Sequence, residues 1–218
     1  MGIETDTLDV TGNTIKEEKV NVNKEKIEEV IKSFPKKYMQ TVPKYSAIHV
    51  NGKRLYEYAR NNIEVELPKR EVEIYSLELI SVNDNTFKIR ASVSKGTYIR
   101  SLIRDIGINL GISCTMKELK RIKQGIFTID EAYNLEDVNK DTKLISLVSA
   151  LANYDKIVIE DDLKDMVNNG RILELDTNSD LVLLVDKNDK LLAIYERYQK
   201  DNSKMKPYKV FKEELWKH

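Results

Sequence analysis

SKGTYIRSLIRDIG, residues 94–107, is where two kinds of local order meet. Upstream, residues 71–82 and 86–93 read as two strands, with Asn83-Asp84-Asn85 as the turn between them. Downstream, Ile99, Leu102, Ile103, Ile106 and Leu110 recur at the spacing of one helical face, so residues 98–110 are predicted as an amphipathic helix. Gly111 follows, and glycine readily takes the left-handed conformation that closes a helix. Lys95-Gly96-Thr97 leaves room only for a turn. A β-hairpin therefore runs straight into a helix, and Arg100 falls in that helix's first turn.

Residues 5–20 alternate around Thr11-Gly12-Asn13 and predict a hairpin or strand edge. In residues 23–34, Ile27, Val30, Ile31 and Phe34 keep helical spacing, Asn23 is a candidate cap and Pro35 a stop. Residues 45–50 and 53–55 read as strands joined by Asn51-Gly52, a strong tight-hairpin signal, with a helical turn at 56–61. Residues 115–129, TMKELKRIKQGIFTI, are expected as a strand around a basic stretch with a turn at Gly125, followed by short helices at 134–138 and 142–151. Beyond residue 150 acidic residues crowd in, and strand-like runs at 156–159, 181–185 and 191–195 suggest a small β-barrel of about seventy residues. The expected domains are 1–150 and 151–218.

The 218 residues are 41% hydrophobic and 33% charged, with mean hydropathy −0.48, which suits a globular protein with a real core. No apolar run reaches the roughly 18 to 20 residues of a membrane helix, and residues 1–30 lack the order of a secretory signal. A cytoplasmic location is the expectation. One cysteine, Cys114, and two histidines, His49 and His218, cannot assemble a zinc site or a disulfide. The 36 basic and 36 acidic residues cancel, so only their distribution speaks to nucleic acid. Residues 36–70 hold 8 basic against 3 acidic, residues 88–123 hold 9 against 2, and residues 130–189 hold 6 against 15. Two basic blocks of this kind fit either phosphate contacts or a solvated surface.

Four stretches in order carry a resemblance: GIETDTLDVTG (2–12), VPKYSAIHVNGKRLYEYAR (42–60), SKGTYIRSLIRDIG (94–107) and ELKRIKQGIF (118–127). Together they resemble the second half of the catalytic domain of TruB-type pseudouridine synthases, and the tail, with Val167-Asn168-Asn169-Gly170 before strands, resembles the PUA barrel of that family. The resemblance implies an α+β fold: the C-terminal portion of the catalytic domain, a mixed sheet with flanking helices and a thumb hairpin, followed by a PUA-like RNA-binding β-barrel. It implies isomerisation of one uridine in the T loop of tRNA, with no cofactor and no metal. In the family a single aspartate in a GTLDP-like motif is the nucleophile. Neither that motif nor the KRYR-like stretch after it occurs here, so the expectation is a truncated, inactive chain, with Met1 standing where relatives have leucine. A noncatalytic tRNA-binding or RNA-folding module is the alternative.

By resemblance, Arg100 would hold the nucleophilic aspartate ionised through a charge-assisted pair; an arginine bridging surface carboxylates is the plain alternative. Tyr98 resembles the residue that stacks on an extruded uracil, against ordinary core packing. Asp9 resembles a carboxylate that orients the arginine; an Asx turn before Gly12 competes with that role, and Asp6 suits the same turn. Leu119 corresponds to an apolar wall of the pocket, a role not separable from plain core. Lys53, Arg54 and Arg60 sit on the thumb that presses on the T-stem-loop, or else on a solubilising hairpin. His49 stands where relatives often have lysine, and Lys95, Lys120 and Arg121 are further phosphate ligands. If missing strands leave a sheet edge open, the chain is expected to form a homo-oligomer through it.

Overall fold

A computed structural model describes residues 1–211, and the chain divides into two units after Lys120. That division falls ahead of the boundary expected near residue 150, and the segment between is grouped with the second unit.

The first unit opens with β1 (Ile3–Thr5) and β2 (Thr14–Glu17), an antiparallel pair around the predicted turn. Helix α1 (Lys24–Ser33) is capped by Asn23, whose Oδ1 accepts from the Lys26 backbone N–H at 3.0 Å, and it buries Ile27, Val30 and Ile31. Strand β3 (Lys37–Thr41) follows the Pro35 break. The thumb hairpin is shorter than expected: β4 (His49–Val50) and β5 (Lys53–Arg54) flank Asn51 and Gly52, both at positive φ as a two-residue hairpin turn requires. Residues 45–48 do not continue β4, because the Tyr45 carbonyl is taken by Arg100 while those of Ser46 and Ile48 turn to the start of α2 (Leu55–Arg60). Strands β6 (Lys69–Asn83) and β7 (Thr86–Val93) then lead into α3 (Ile99–Leu110), closed by Gly111 at φ 74°.

The antiparallel sheet has the order β3-β6-β7, with β3 and β7 at its edges. The apolar sides of α1 and α3 meet Ile74 of β6 in one core of Ile27, Val30, Ile31, Phe34, Leu102, Ile106 and Leu110. This arrangement fixes where α3 begins.

In the second unit, Gly125 turns a minimal hairpin of β8 (Lys123–Gln124) and β9 (Phe127–Thr128). The strand expected around the basic stretch does not form: residues 117–122 are irregular, every one of them exposed, with no ladder partner to hold them extended. Of the two expected helices, the first is a single 3₁₀ turn at Leu135–Asp137 and the second shrinks to α4 (Leu147–Ala150). The rest is β10 (Asp155–Val158), α5 (Asp161–Asn168), β11 (Leu173–Glu174), β12 (Leu181–Val185), β13 (Leu191–Arg197) and β14 (Lys204–Val210). Their order is β10-β12-β13-β14-β11, antiparallel except for β10 against β12. One side of β12 packs Val182 and Leu184 with Ala193, Tyr195 and Met205; the other packs Leu183 and Val185 with Leu191. Burial on both faces explains why LVLLV is apolar throughout.

Candidate active site at the strand–helix junction

The turn between β7 and α3 is tied at Ser94, Gly96 and Thr97. Ser94 Oγ accepts from the Glu73 N–H at 2.9 Å, and Thr97 Oγ1 donates back to the Ser94 carbonyl at 2.9 Å. Gly96 sits at φ 86°, where a side chain is strained, and a Cβ there would lie 2.7 Å from Arg70 Nη1. Arg70 Nη1 in turn donates to the Gly96 carbonyl at 3.3 Å. Tyr98 caps α3 in an extended conformation, its ring half-buried.

Arg100 follows in the first helical turn. Its Nη1 donates to the Thr7 carbonyl at 3.0 Å and its Nη2 to the Tyr45 carbonyl at 2.9 Å. No described carboxylate forms an ion pair with it. An arginine in the first turn opposes the helix dipole by roughly 0.3–1 kcal/mol, and no acidic residue in that turn offsets it. The junction thus maintains positive charge at a half-buried place, which can hold an anion. Ser46, next to Tyr45, carries the one buried side-chain oxygen among the described residues without a hydrogen-bond partner.

The loop that offers the Thr7 carbonyl is itself constrained. Leu8 has φ 61°, a left-handed conformation that costs a leucine energy, and Thr5 Oγ1 donates to the Asp9 carbonyl at 2.8 Å. Asp9 Oδ1 accepts from the Thr11 N–H at 3.0 Å and from Thr11 Oγ1 at 2.8 Å. Those two bonds, with the nearby charge of Arg100 as a smaller cause, hold the Asp9 carboxyl below its ordinary range. The Asx-turn geometry is therefore present, and Arg100 acts on Asp9 through space rather than by contact. Asp6 serves the neighbouring turn, accepting from the Asn13 N–H at 2.9 Å and from Asn13 Nδ2 at 3.0 Å.

Beneath Tyr98 lies a polar group that sequence reasoning missed. Gln40 on β3 is fully buried; its Oε1 accepts from the Tyr98 N–H at 2.9 Å, and its Nε2 donates to the Tyr98 carbonyl at 3.2 Å and to Tyr38 Oη at 2.9 Å. Tyr38 Oη donates to Asp105 Oδ2 at 3.0 Å. Asp105 also pairs with Arg104 at 2.7 Å, and Arg104 Nη2 and Ser101 Oγ both donate to the Thr41 carbonyl. Burial, with the Asp105 charge as the next cause, pushes the Tyr38 phenol well above its ordinary range. The usable signal was that Gln40 shares a strand face with Tyr38 and Val42, which are also turned inward.

The remaining expected residues lie elsewhere. Lys53 and Arg54 on the hairpin and Arg60 at the end of α2 are exposed, and the Arg54 and Arg60 guanidinium carbons are 5.8 and 5.3 Å from the Tyr56 ring centre. His49 is opposite Arg54 in the hairpin register. Lys95 and Lys120 are exposed, and Leu119 is 58% exposed, so no core packing occupies it. In the second unit, Arg121 is exposed and bonded to Gln124. Among the described residues no cluster of three or more His, Cys, Asp or Glu could hold a metal ion, and no helix is long and apolar enough to cross a membrane.

The fold matches solved chains that carry it at larger size. A chain in the crystal structure of a Cbf5–Nop10–Gar1 complex superposes with a TM-score of 0.64 at 24% identity, over 88% of this chain and 62% of that one. Residues 1–99 match the TruB family pseudouridylate synthase N-terminal domain, and residues 100–169 match the tRNA pseudouridylate synthase B C-terminal domain. The tRNA pseudouridine synthase B of Thermosipho melanesiensis is 39% identical over 89% of this chain and 64% of its own length. That of Staphylococcus saprophyticus is 39% identical over 97% of this chain and 76% of its own length. The class is thus the α+β fold that the chain of the Cbf5–Nop10–Gar1 complex carries at larger size. Within it, the chain belongs to the TruB family, and it spans just under two thirds of the length of the Thermosipho relative.

Proposed function

We propose that this chain supplies the arginine side of a site that isomerises the T-loop uridine of tRNA to pseudouridine, without metal or cofactor. The observation that carries this reading is Arg100, half-buried, fixed by two backbone carbonyls and paired with no described carboxylate. A guanidinium held in that way is suited to pairing with a nucleophilic aspartate or an anionic group of the substrate. In the reaction the glycosidic bond breaks, the uracil turns, and a ring carbon takes the place of the nitrogen on the ribose. Tyr98 would stack on the extruded uracil, and Asp9 would steady the loop whose Thr7 carbonyl receives Arg100. Leu119, exposed in the free chain, would be covered by the base. Lys53, Arg54, Arg60, Lys95, Lys120 and Arg121 would contact phosphates, which position an RNA without reading its sequence. The sheet of residues 155–210 would act as the PUA-like RNA-binding module, in a cytoplasmic protein.

Asp9 is an acidic side chain that senses Arg100, and its Oδ1 is committed to Thr11. The chain on its own is therefore expected to bind a T-stem-loop and not to convert it. That expectation also supports the second reading, a tRNA-binding or RNA-folding module. The test is pseudouridine formation in a T-stem-loop transcript at high protein excess, read by mass after chemical tagging. No product together with salt-dependent binding is the expected result; product would make Asp9 the nucleophile to examine. Strand β7 is paired on one side only, and self-association through that edge is part of the reading. A clean monomer at micromolar concentration in sedimentation would reject that part.

A further inference from the structure

We infer that Gln40 is a positioning residue for the uridine pocket, holding the backbone from which Tyr98 and Arg100 project. The inference rests on the reading of this junction as the place where the base is received.

A buried primary amide is costly unless its donors and acceptor are matched. Apolar residues already fill the equivalent inward positions nearby, Val42 and Val72, each 1% exposed, so stability alone does not call for an amide here. What the amide adds is direction. Tyr98 has the extended backbone of a strand but no strand beside it, and Gln40 engages both of its main-chain groups, as a neighbouring strand would. The Tyr98 carbonyl also accepts the first helical bond, from Leu102 at 2.9 Å. Gln40 therefore acts on the residue at which the chain changes from turn to helix.

The group closes on itself. From Tyr98 it passes through Gln40, Tyr38, Asp105 and Arg104 to the Thr41 carbonyl, one residue from Gln40 on β3. A run of hydrogen bonds closed through the main chain of β3 admits few alternative arrangements, so it sets the rotation of the first turn of α3 against the sheet. Arg100, two residues past the clamp, reaches the Thr7 and Tyr45 carbonyls from that rotation. Apolar contacts under Leu102 and Ile106 hold the helix to the sheet without specifying this angle.

The experiment compares two synthetic T-stem-loop RNAs, one with uracil at the target position and one abasic there, by fluorescence anisotropy with the full chain. Stacking of a base on an aromatic side chain gives the wild-type chain an expected preference on the order of tenfold for the uracil RNA. Gln40→Met is expected to bring that preference to within about twofold of none, while affinity for the abasic RNA stays within about twofold of wild type. Tyr38→Phe, which opens the ring at Tyr38 while leaving the Gln40–Tyr98 bonds in place, is expected to give a preference between those of the wild type and Gln40→Met. If Gln40→Met does not fold, Gln40→Leu is read in its place, because it removes the same bonds to the Tyr98 main chain. A folded variant that retains the wild-type preference overturns the positioning role, and so does an equal loss of affinity for both RNAs, which is what plain packing predicts. A wild-type chain that binds the two RNAs equally overturns the uridine pocket itself, and the inference about Gln40 falls with it.

Discussion

Helix α3 in the first unit packs Leu102 and Ile106 on its sheet, and its first turns are fixed to β3 by side chains that carry polar atoms: Gln40, Tyr38, Asp105 and Ser101. Strand β12 in the second unit is bound to its neighbours by Val182, Leu183, Leu184 and Val185, all buried, and the hydroxyl of the buried Tyr195 reaches the Arg171 carbonyl at 2.8 Å. Apolar packing is strong and weakly directional; hydrogen bonds add little net stability but fix angles. The second unit is built to stay folded, and the junction in the first is built to point two side chains.

The largest expected effect separates those roles. Leu184→Ala removes a fully buried side chain from the second unit and should cost about 2–5 kcal/mol. Chemical denaturation followed by amide exchange should show the loss in β12 and β13, with exchange in α3 unchanged. Equal loss in α3 would show that the two regions unfold as one. Gly96→Ala comes next. It forces a side chain into φ 86° and against the Arg70 guanidinium, for roughly 1–3 kcal/mol. Its larger consequence should be in uracil preference, because the turn sets where Tyr98 starts. Unchanged preference in Gly96→Ala would mean that the turn is not what aims the site.

The junction was legible because its two halves obey different rules at short range: hairpin periodicity before Ser94 and helical periodicity after Thr97. The family motif then placed Arg100, Tyr98 and Asp9. Gln40 was legible only as a residue on the face of KYMQT that carries Tyr38; its role was not, since the main chain it holds, at Tyr98, is 58 residues away. Strand β14 was hidden by Pro207, which signals an edge or an interruption, although β14 pairs with β13 on one side and β11 on the other. Helix α5 was hidden because its end, Asn168-Asn169-Gly170, reads equally as a turn between strands. The strand expected over the basic stretch after Met116 failed for the opposite reason: its residues favoured no partner, and local pattern alone cannot supply one.

A smaller effect tests the hairpin against the junction. Lys53→Ala with Arg60→Ala removes two exposed cations, one of them over the Tyr56 ring. Affinity for uracil and abasic stem-loops should fall together, and the slope of log affinity against log salt should become shallower by about 1.4 to 1.8. A change in uracil preference would instead place the hairpin at the base.

The smallest effect concerns how the first hairpin is fastened, away from both. Glu18 Oε1 accepts from the Ser113 N–H at 2.6 Å and from Lys16 Nζ at 3.2 Å, tying β2 to the chain just after α3. The Ser113 bonds first, and Lys16 after them, bring the Glu18 carboxyl down to about 2 from its ordinary 4.5. A carboxyl whose folded value is depressed contributes stability that is complete above its unfolded value and is lost as pH falls toward the folded one. The contribution should therefore be present at neutral pH and disappear between about pH 4.5 and pH 2. Glu18→Gln should flatten that part of the acid unfolding curve and leave uracil preference at neutral pH as in the wild type. If the preference moved with Glu18, the hairpin carrying Thr7 would be aimed from β2 as well as from Leu8, and the polar ring around Gln40 would share the task of pointing Arg100.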